Sequence, residues 1–336
     1  MTLDPQVVAW RTARAAAGTV PLYTQTLAEA RAADLAAIRA GSGAVEPVAE
    51  VRDTTVPGPA GPLPVLIHRP DGDGPLPTLV YFFGGGWTLG SVDTADGICR
   101  RLVNLTGAQT VTVGYRLAPE HPFPAAVEDC HAAVRHLAAH AAEFRVDPDR
   151  LAVGGDSAGG NLAAAVTLLA RADGGPRLAA QLLVYPNTDQ RPGHRPGDDE
   201  DPMLFNRHSV GWYRSHYLAD PGDAAHPLAS PLLAEDLGGL PPALVITAGY
   251  DPLCAEGRRY AERLGEAGVP TETAHYPGMV HGFFAMPGVF DAGRQAQERA
   301  AAFLRRTFGL DRTPGAGESA AGVDPAGNTV GAGGHG

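Results

Sequence analysis

The chain has 336 residues, 44% of them hydrophobic, and a net charge of −11, which describes a globular protein with ample core and no clustered basic surface for nucleic acid. All 26 basic residues are arginine, so a Schiff-base lysine, a Ser-Lys dyad and a P-loop lysine are excluded. Cys99, Cys130 and Cys254 are scattered and odd in number, which argues against a disulfide framework or zinc site and for buried thiols in a reducing compartment.

Helical periodicity covers residues 1–45 in two pieces, with Pro21 between them. No basic-then-apolar leader opens the chain and no apolar run reaches membrane-spanning length, so a cytoplasmic enzyme is the expectation. Alternating residues predict strands over Glu50–Val56 and Pro62–Arg69. Asp71-Gly72-Asp73-Gly74 reads as a hairpin turn, because the rest of a calcium-loop pattern is missing. From there strands and helices alternate. Strands are predicted at Thr78–Phe83, Gln109–Tyr115, Arg150–Val153, Ala179–Tyr185, Ala243–Ala248 and Thr271–Tyr276. Helices are predicted at Thr94–Leu105, Ala125–Phe144, Ser157–Arg171, Ala255–Ala267 and Gly288–Phe308. Short apolar strands between longer helices specify an α/β fold with a mostly parallel sheet, whose ligands sit at the carboxyl ends of its strands.

Residues 187–235 break this alternation. They are polar and Pro-rich, helical only around Ser209–Tyr217, and read as an insertion that forms a lid. The acidic run from Asp198 to Asp201 reads as a solvated loop rather than a metal site. Residues 313–336 are rich in Gly and Ala and are expected to be disordered, since they offer too little apolar surface to offset ordering entropy.

The chemistry centres on Gly155-x-Ser157-x-Gly159, set between the strand ending at Val153 and the following helix. A serine at such a turn exposes its Oγ at the sheet edge, and the flanking glycines permit the sharp bend. A nucleophilic serine needs a base, and the base needs an orienting acid. Asp251 follows the strand ending at Ala248, and His281 follows the strand ending at Tyr276. Of the 12 histidines only His281 sits in a loop after a late strand; His208, His216 and His226 lie in or near the insertion, within reach of a substrate. Phe83-Gly84-Gly85-Gly86-Trp87 follows an early strand, where bare backbone amides can converge on a developing oxyanion.

These segments, with Tyr115-Arg116-Leu117-Ala118-Pro119-Glu120-His121-Pro122-Phe123-Pro124-Ala125-Ala126, Asp251-Pro252-Leu253 and His281-Gly282-Phe283, resemble the hormone-sensitive-lipase-like branch of the α/β-hydrolases, the bacterial family IV esterases. The resemblance covers about residues 45–309. It implies the α/β-hydrolase fold and a Ser157–His281–Asp251 triad, with an oxyanion hole from the amides of Gly85, Gly86 and Ala158. It further implies a helical cap over residues 1–45, joined by the 187–235 insertion, on a catalytic domain of residues 46–312. The expected activity is hydrolysis of short- to medium-chain carboxylic esters through an acyl-enzyme, with no metal or other cofactor. The expected partner is a small-molecule ester, with no nucleic acid or membrane, and the family often forms homodimers. Acyl transfer, lactone chemistry, deacetylation or a lyase step at the same site stay open, and a non-catalytic binding role is disfavoured by the complete triad. In one departure, Phe83 stands where the family carries a loop-supporting His, and reduced or narrowed activity on simple esters is expected from it.

Overall fold

The computed structural model describes residues 2–193 and 201–311. Two helices, α1 (Pro5–Ala16) and α2 (Leu27–Gly41), open the chain. Asp4 caps α1 with Pro5 at the first turn, and Thr26 with Glu29 forms a capping box on α2. An antiparallel hairpin follows, β1 (Glu50–Gly58) and β2 (Gly61–Arg69), in register from Glu50 opposite Arg69 to Gly58 opposite Gly61. The edge strand β1 alternates in burial, as a strand with one wet face should.

The remaining strands are β3 (Leu76–Phe82), β4 (Gln109–Val113), β5 (Val146–Asp156), β6 (Ala180–Val184), β7 (Ala243–Tyr250) and β8 (Thr271–Val280). The helices between and after them are α3 (Asp96–Thr106), α4 (Ala125–Ala139), α5 (Ala158–Ala172), α6 (Arg207–Tyr217), α7 (Cys254–Glu266) and α8 (Asp291–Thr307). All eight strands form one sheet in the order β1-β2-β4-β3-β5-β6-β7-β8, antiparallel at β1–β2 and β2–β4 and parallel throughout the rest. Helices flank it, α3 packing with α8 and α4 with α5. The central strands β4 and β6 are buried along their whole length, as strands covered on both faces should be, and they carry the buried polar residues Gln109, Thr110, Thr112 and Gln181 among their apolar ones.

Two expectations change. The Asp71–Gly74 segment is not a hairpin turn: β2 pairs with β1 and β4, so it carries the chain across to β3, and the hairpin lies one connection earlier, at Gly58–Gly61. Strand β5 begins at Val146, four residues before the expected Arg150, because Val146 pairs with Leu76 ahead of a register shift. Of the acidic run only Asp201 is described, and residues 313–336 lie outside the described residues. Asp201 forms an ion pair with Arg11 of α1 and so ties the insertion to the N-terminal helices. Among the described residues no helix is long and apolar enough to cross a membrane.

The segment from Tyr115 to Ala126 is pinned to both α4 and α2. Asp129 on α4 is fully buried and accepts from Arg116 Nε and NH2 at 2.8 and 2.7 Å and from the Arg116 amide at 2.9 Å. Arg31 on α2 donates to the carbonyls of Thr88 and Ala118 and grips Glu120 with both terminal nitrogens at 2.7 and 2.8 Å, which holds the Glu120 carboxyl down at about 2. Replacing Arg116 by Met strands the buried Asp129 charge. The expected loss is ~3–5 kcal/mol of unfolding free energy, read as a lower urea midpoint with an unchanged m-value; a midpoint equal to wild type would show that the pair holds nothing.

Candidate active site

The turn from β5 into α5 places Ser157 at φ 57° and ψ −115°, a conformation that a non-glycine residue holds only when its surroundings enforce it. The enforcement is visible. The Ser157 amide donates to the Val184 carbonyl at 2.8 Å and the Ser157 carbonyl accepts from Asn161 at 3.1 Å. Gly155 and Gly159 lie so close to the Phe82 carbonyl that a Cβ on either would run into its oxygen. The glycines of the motif are therefore required by contact with β3 as much as by the bend itself.

Asp251 and His281 arrive from the carboxyl ends of β7 and β8. The Ser157 hydroxyl donates to His281 Nε2 at 2.8 Å, and His281 Nδ1–H donates to Asp251 Oδ2 at 2.7 Å; this tautomer follows from the partners. The second oxygen of Asp251 accepts the Leu253 amide at 2.8 Å, and the carboxylate is 1% exposed. The imidazole is further fixed by aromatic packing. Phe205, from the insertion, stacks on it at 4.2 Å between centroids, and Tyr185 tilts against it at 4.5 Å. All three residues expected from the sequence thus meet in one hydrogen-bonded line.

The glycine loop lies opposite. Gly85 and Gly86 have φ of 117° and 59°, and a Cβ on Gly86 would strike the Tyr213 ring. Among the described residues the amides of Gly85, Gly86 and Ala158 have no protein acceptor, so all three stay available to a ligand oxygen. The loop is held from behind by Asp156, which accepts the Tyr81 hydroxyl at 2.8 Å and the Gly84 amide at 3.1 Å. Burial pushes the Asp156 carboxyl up, and these two hydrogen bonds pull it back. Phe83 is also accounted for: its ring stacks on Tyr115 at 4.3 Å and 16°, while the Tyr115 hydroxyl donates to the Phe83 carbonyl at 2.8 Å.

A cavity of about 200 Å³ opens above Ser157, walled by α1 and α2 on one side, by the insertion and α6 on another, and floored by the glycine loop and His281. None of His208, His216 and His226 lines it, contrary to the expectation that they reach a substrate. His216 instead bonds the Trp212 carbonyl, and His226 packs on Phe123, so both are used within the fold. Sequence reasoning gave no role to Asp156, to the Tyr115 hydroxyl or to Phe205. Asp156 and Tyr115 sit inside the Gly155–Gly159 and Tyr115–Ala126 motifs, whereas no local pattern marks Phe205.

The family model described as the alpha/beta hydrolase fold matches residues 79–285. The carboxylic ester hydrolase LipN of Mycobacterium tuberculosis is 46% identical over 241 residues, which cover 70% of this chain and 64% of LipN, so the match spans just under two thirds of that relative. Esterase LipI of the same organism is 41% identical over 268 residues, covering 78% of this chain and 83% of LipI. Among solved structures, the α/β-hydrolase LAE6 from the metagenome of Lake Arreo superposes with a TM-score of 0.86 at 40% identity, covering 92% of this chain and 99% of its own. The hyperthermophilic esterase from Pyrobaculum calidifontis does so with 0.86 at 39%, covering 91% and 99%. The chain belongs to the α/β-hydrolase fold family, in its hormone-sensitive-lipase-like branch of ester hydrolases.

Proposed function

We propose that this protein hydrolyses short- to medium-chain carboxylic esters by a covalent acyl-enzyme route. The observation that carries the reading is the continuous line Ser157–His281–Asp251, with bonds of 2.8 and 2.7 Å, facing three unused amides. In this route Ser157 Oγ attacks the ester carbonyl while His281 takes its proton. Asp251 keeps the imidazole in the right tautomer and stabilises the imidazolium. The tetrahedral oxyanion receives N–H bonds from Gly85, Gly86 and Ala158, each donor of this kind being worth ~2.7–4 kcal/mol in the transition state. Collapse expels the alcohol, protonated by His281. Water then attacks the acyl-serine with His281 again as base, and the acid leaves.

Residues 1–45 and the insertion at 187–235 are proposed to act together as the cap, since both contribute cavity wall and the Arg11–Asp201 pair joins them. The cavity, at about 200 Å³, is smaller than the ~300–1,000 Å³ of sites for drug-sized ligands, which favours short acyl groups. For the glycine loop, the Phe83–Tyr115 stack and the Tyr115 hydroxyl supply the support that a histidine would otherwise give. On this reading Phe83 need not weaken activity on simple esters.

Ser157→Ala is expected to reduce p-nitrophenyl butyrate turnover by ~10⁴-fold or more at unchanged melting temperature; retained turnover sinks the assignment. Across p-nitrophenyl acetate to laurate, kcat/KM should peak at four to six carbons, about the cavity's reach, and a maximum at laurate would contradict the cavity argument. Phe83→His should leave kcat/KM for butyrate within about threefold of wild type. A rise beyond tenfold would mean the stack holds the loop poorly.

A further inference from the structure

One carboxylate in the cavity is left without a partner. Asp34 projects from α2 into the cavity wall, half-buried, and among the described residues it accepts no hydrogen bond and makes no ion pair. The other acids at the site are all engaged: Asp156 by Tyr81 and Gly84, Asp251 by His281 and Leu253. A carboxylate half-withdrawn from water with no protein partner is open to a cationic group brought by a ligand. The nearby cation does not supply one, because the Arg14 guanidinium lies over the Trp10 ring at 4.7 Å and makes no bond to Asp34. The same cavity is lined by Phe205, Trp212 and Tyr213, and aromatic faces attract cations.

We propose that Asp34 is a specificity residue that receives a positively charged ammonium group carried by the ester substrate, held between this carboxylate and the aromatic wall while the ester carbonyl sits at Ser157. This rests on the ester-hydrolase reading and adds to it the charge of the substrate.

The free protein adds a consequence for pH. Burial, and then the charge of Asp156, push the Asp34 carboxyl up to about 7. A group raised in this way is largely protonated below that pH and ionised above it, so attraction for an ammonium group grows as pH rises through about 7. The other groups facing the cavity do not mimic this. Arg14 stays charged, although burial lowers it. The phenols of Tyr185 and Tyr213 are pushed up by burial and stay neutral. Asp156 and His281 serve every ester alike and cancel in a ratio of two substrates.

The test is therefore a ratio: kcat/KM for butyrylcholine over that for 3,3-dimethylbutyl butyrate, its uncharged isostere, followed by acid release. Wild type is expected to favour butyrylcholine by about tenfold at pH 8, declining toward parity at pH 6. Asp34→Asn should stand near parity at both pH values, with the neutral ester within about twofold of wild type. The variant is expected to fold, since it removes an uncompensated charge. A preference that survives the substitution, or a wild type without preference, overturns the proposal. Wild type active on the neutral ester without preference sinks the Asp34 role alone, whereas wild type inactive on both sinks the hydrolase reading with it. A second measurement needs no variant: tetramethylammonium should inhibit wild-type turnover of the neutral ester more strongly at pH 8 than at pH 6. Equal inhibition at the two values counts against Asp34.

Discussion

The Phe82 carbonyl presses so closely on the turn from β5 into α5 that neither Gly155 nor Gly159 can carry a Cβ. This contact joins the ends of two adjacent parallel strands, β3 and β5, at the point where each turns out of the sheet. It brings the start of the glycine loop against the residue that precedes a helix. The loop amides of Gly85 and Gly86 and the helix amide of Ala158 are thus offered by one rigid junction rather than by two mobile loops. Under the proposed acyl-enzyme route, an oxyanion site built in this way would need no reorganisation when charge develops, which is the condition under which hydrogen-bond donors accelerate acyl transfer most. Ser157 carries the backbone strain of the junction, and dense packing around α5, buried over nearly its whole length, sustains it.

Around this junction lie two layers of support that act through different physics. Asp156 is buried and binds backward to Tyr81 and Gly84, so a charge that burial disfavours is stabilised by hydrogen bonds that also set the loop. Outside it, Arg31 joins α2 to the carbonyls of Thr88 and Ala118 and to Glu120. The N-terminal helices are in this way fastened to the same loop system that surrounds Ser157. The cavity wall and the chemical centre are mechanically connected, and Asp34, on the same helix, faces the cavity from a fixed position.

Phe83 is held by contacts of a different kind from those a histidine would make. The ring lies flat on Tyr115 in a buried site, and the Tyr115 hydroxyl takes the Phe83 carbonyl. Dispersion and one hydrogen bond to the main chain are the contacts found there. Single-residue comparison of a motif does not register them, because the partner lies 32 residues away in sequence.

The amino-acid sequence by itself determined the alternating α/β architecture, the elbow at Ser157 and the loop positions of Asp251 and His281. These follow from local rules: apolar runs of strand length, helix-length spacers, and glycines where the backbone must turn sharply. Its errors came where partners are distant. The segment at Asp71–Gly74 resembles a hairpin turn locally, yet strand order sends the chain past β4 to β3. His208, His216 and His226 lie in the right segment but point to other uses, since ring orientation in an irregular insertion depends on packing and not on spacing. Only the tertiary structure decided that Phe205 stacks on His281, that Asp156 braces the glycine loop, and that Asp34 finds no partner in the cavity among the described residues. Each is a relation between elements far apart in the chain, and whether a polar group is satisfied depends on every neighbour that folding brings to it.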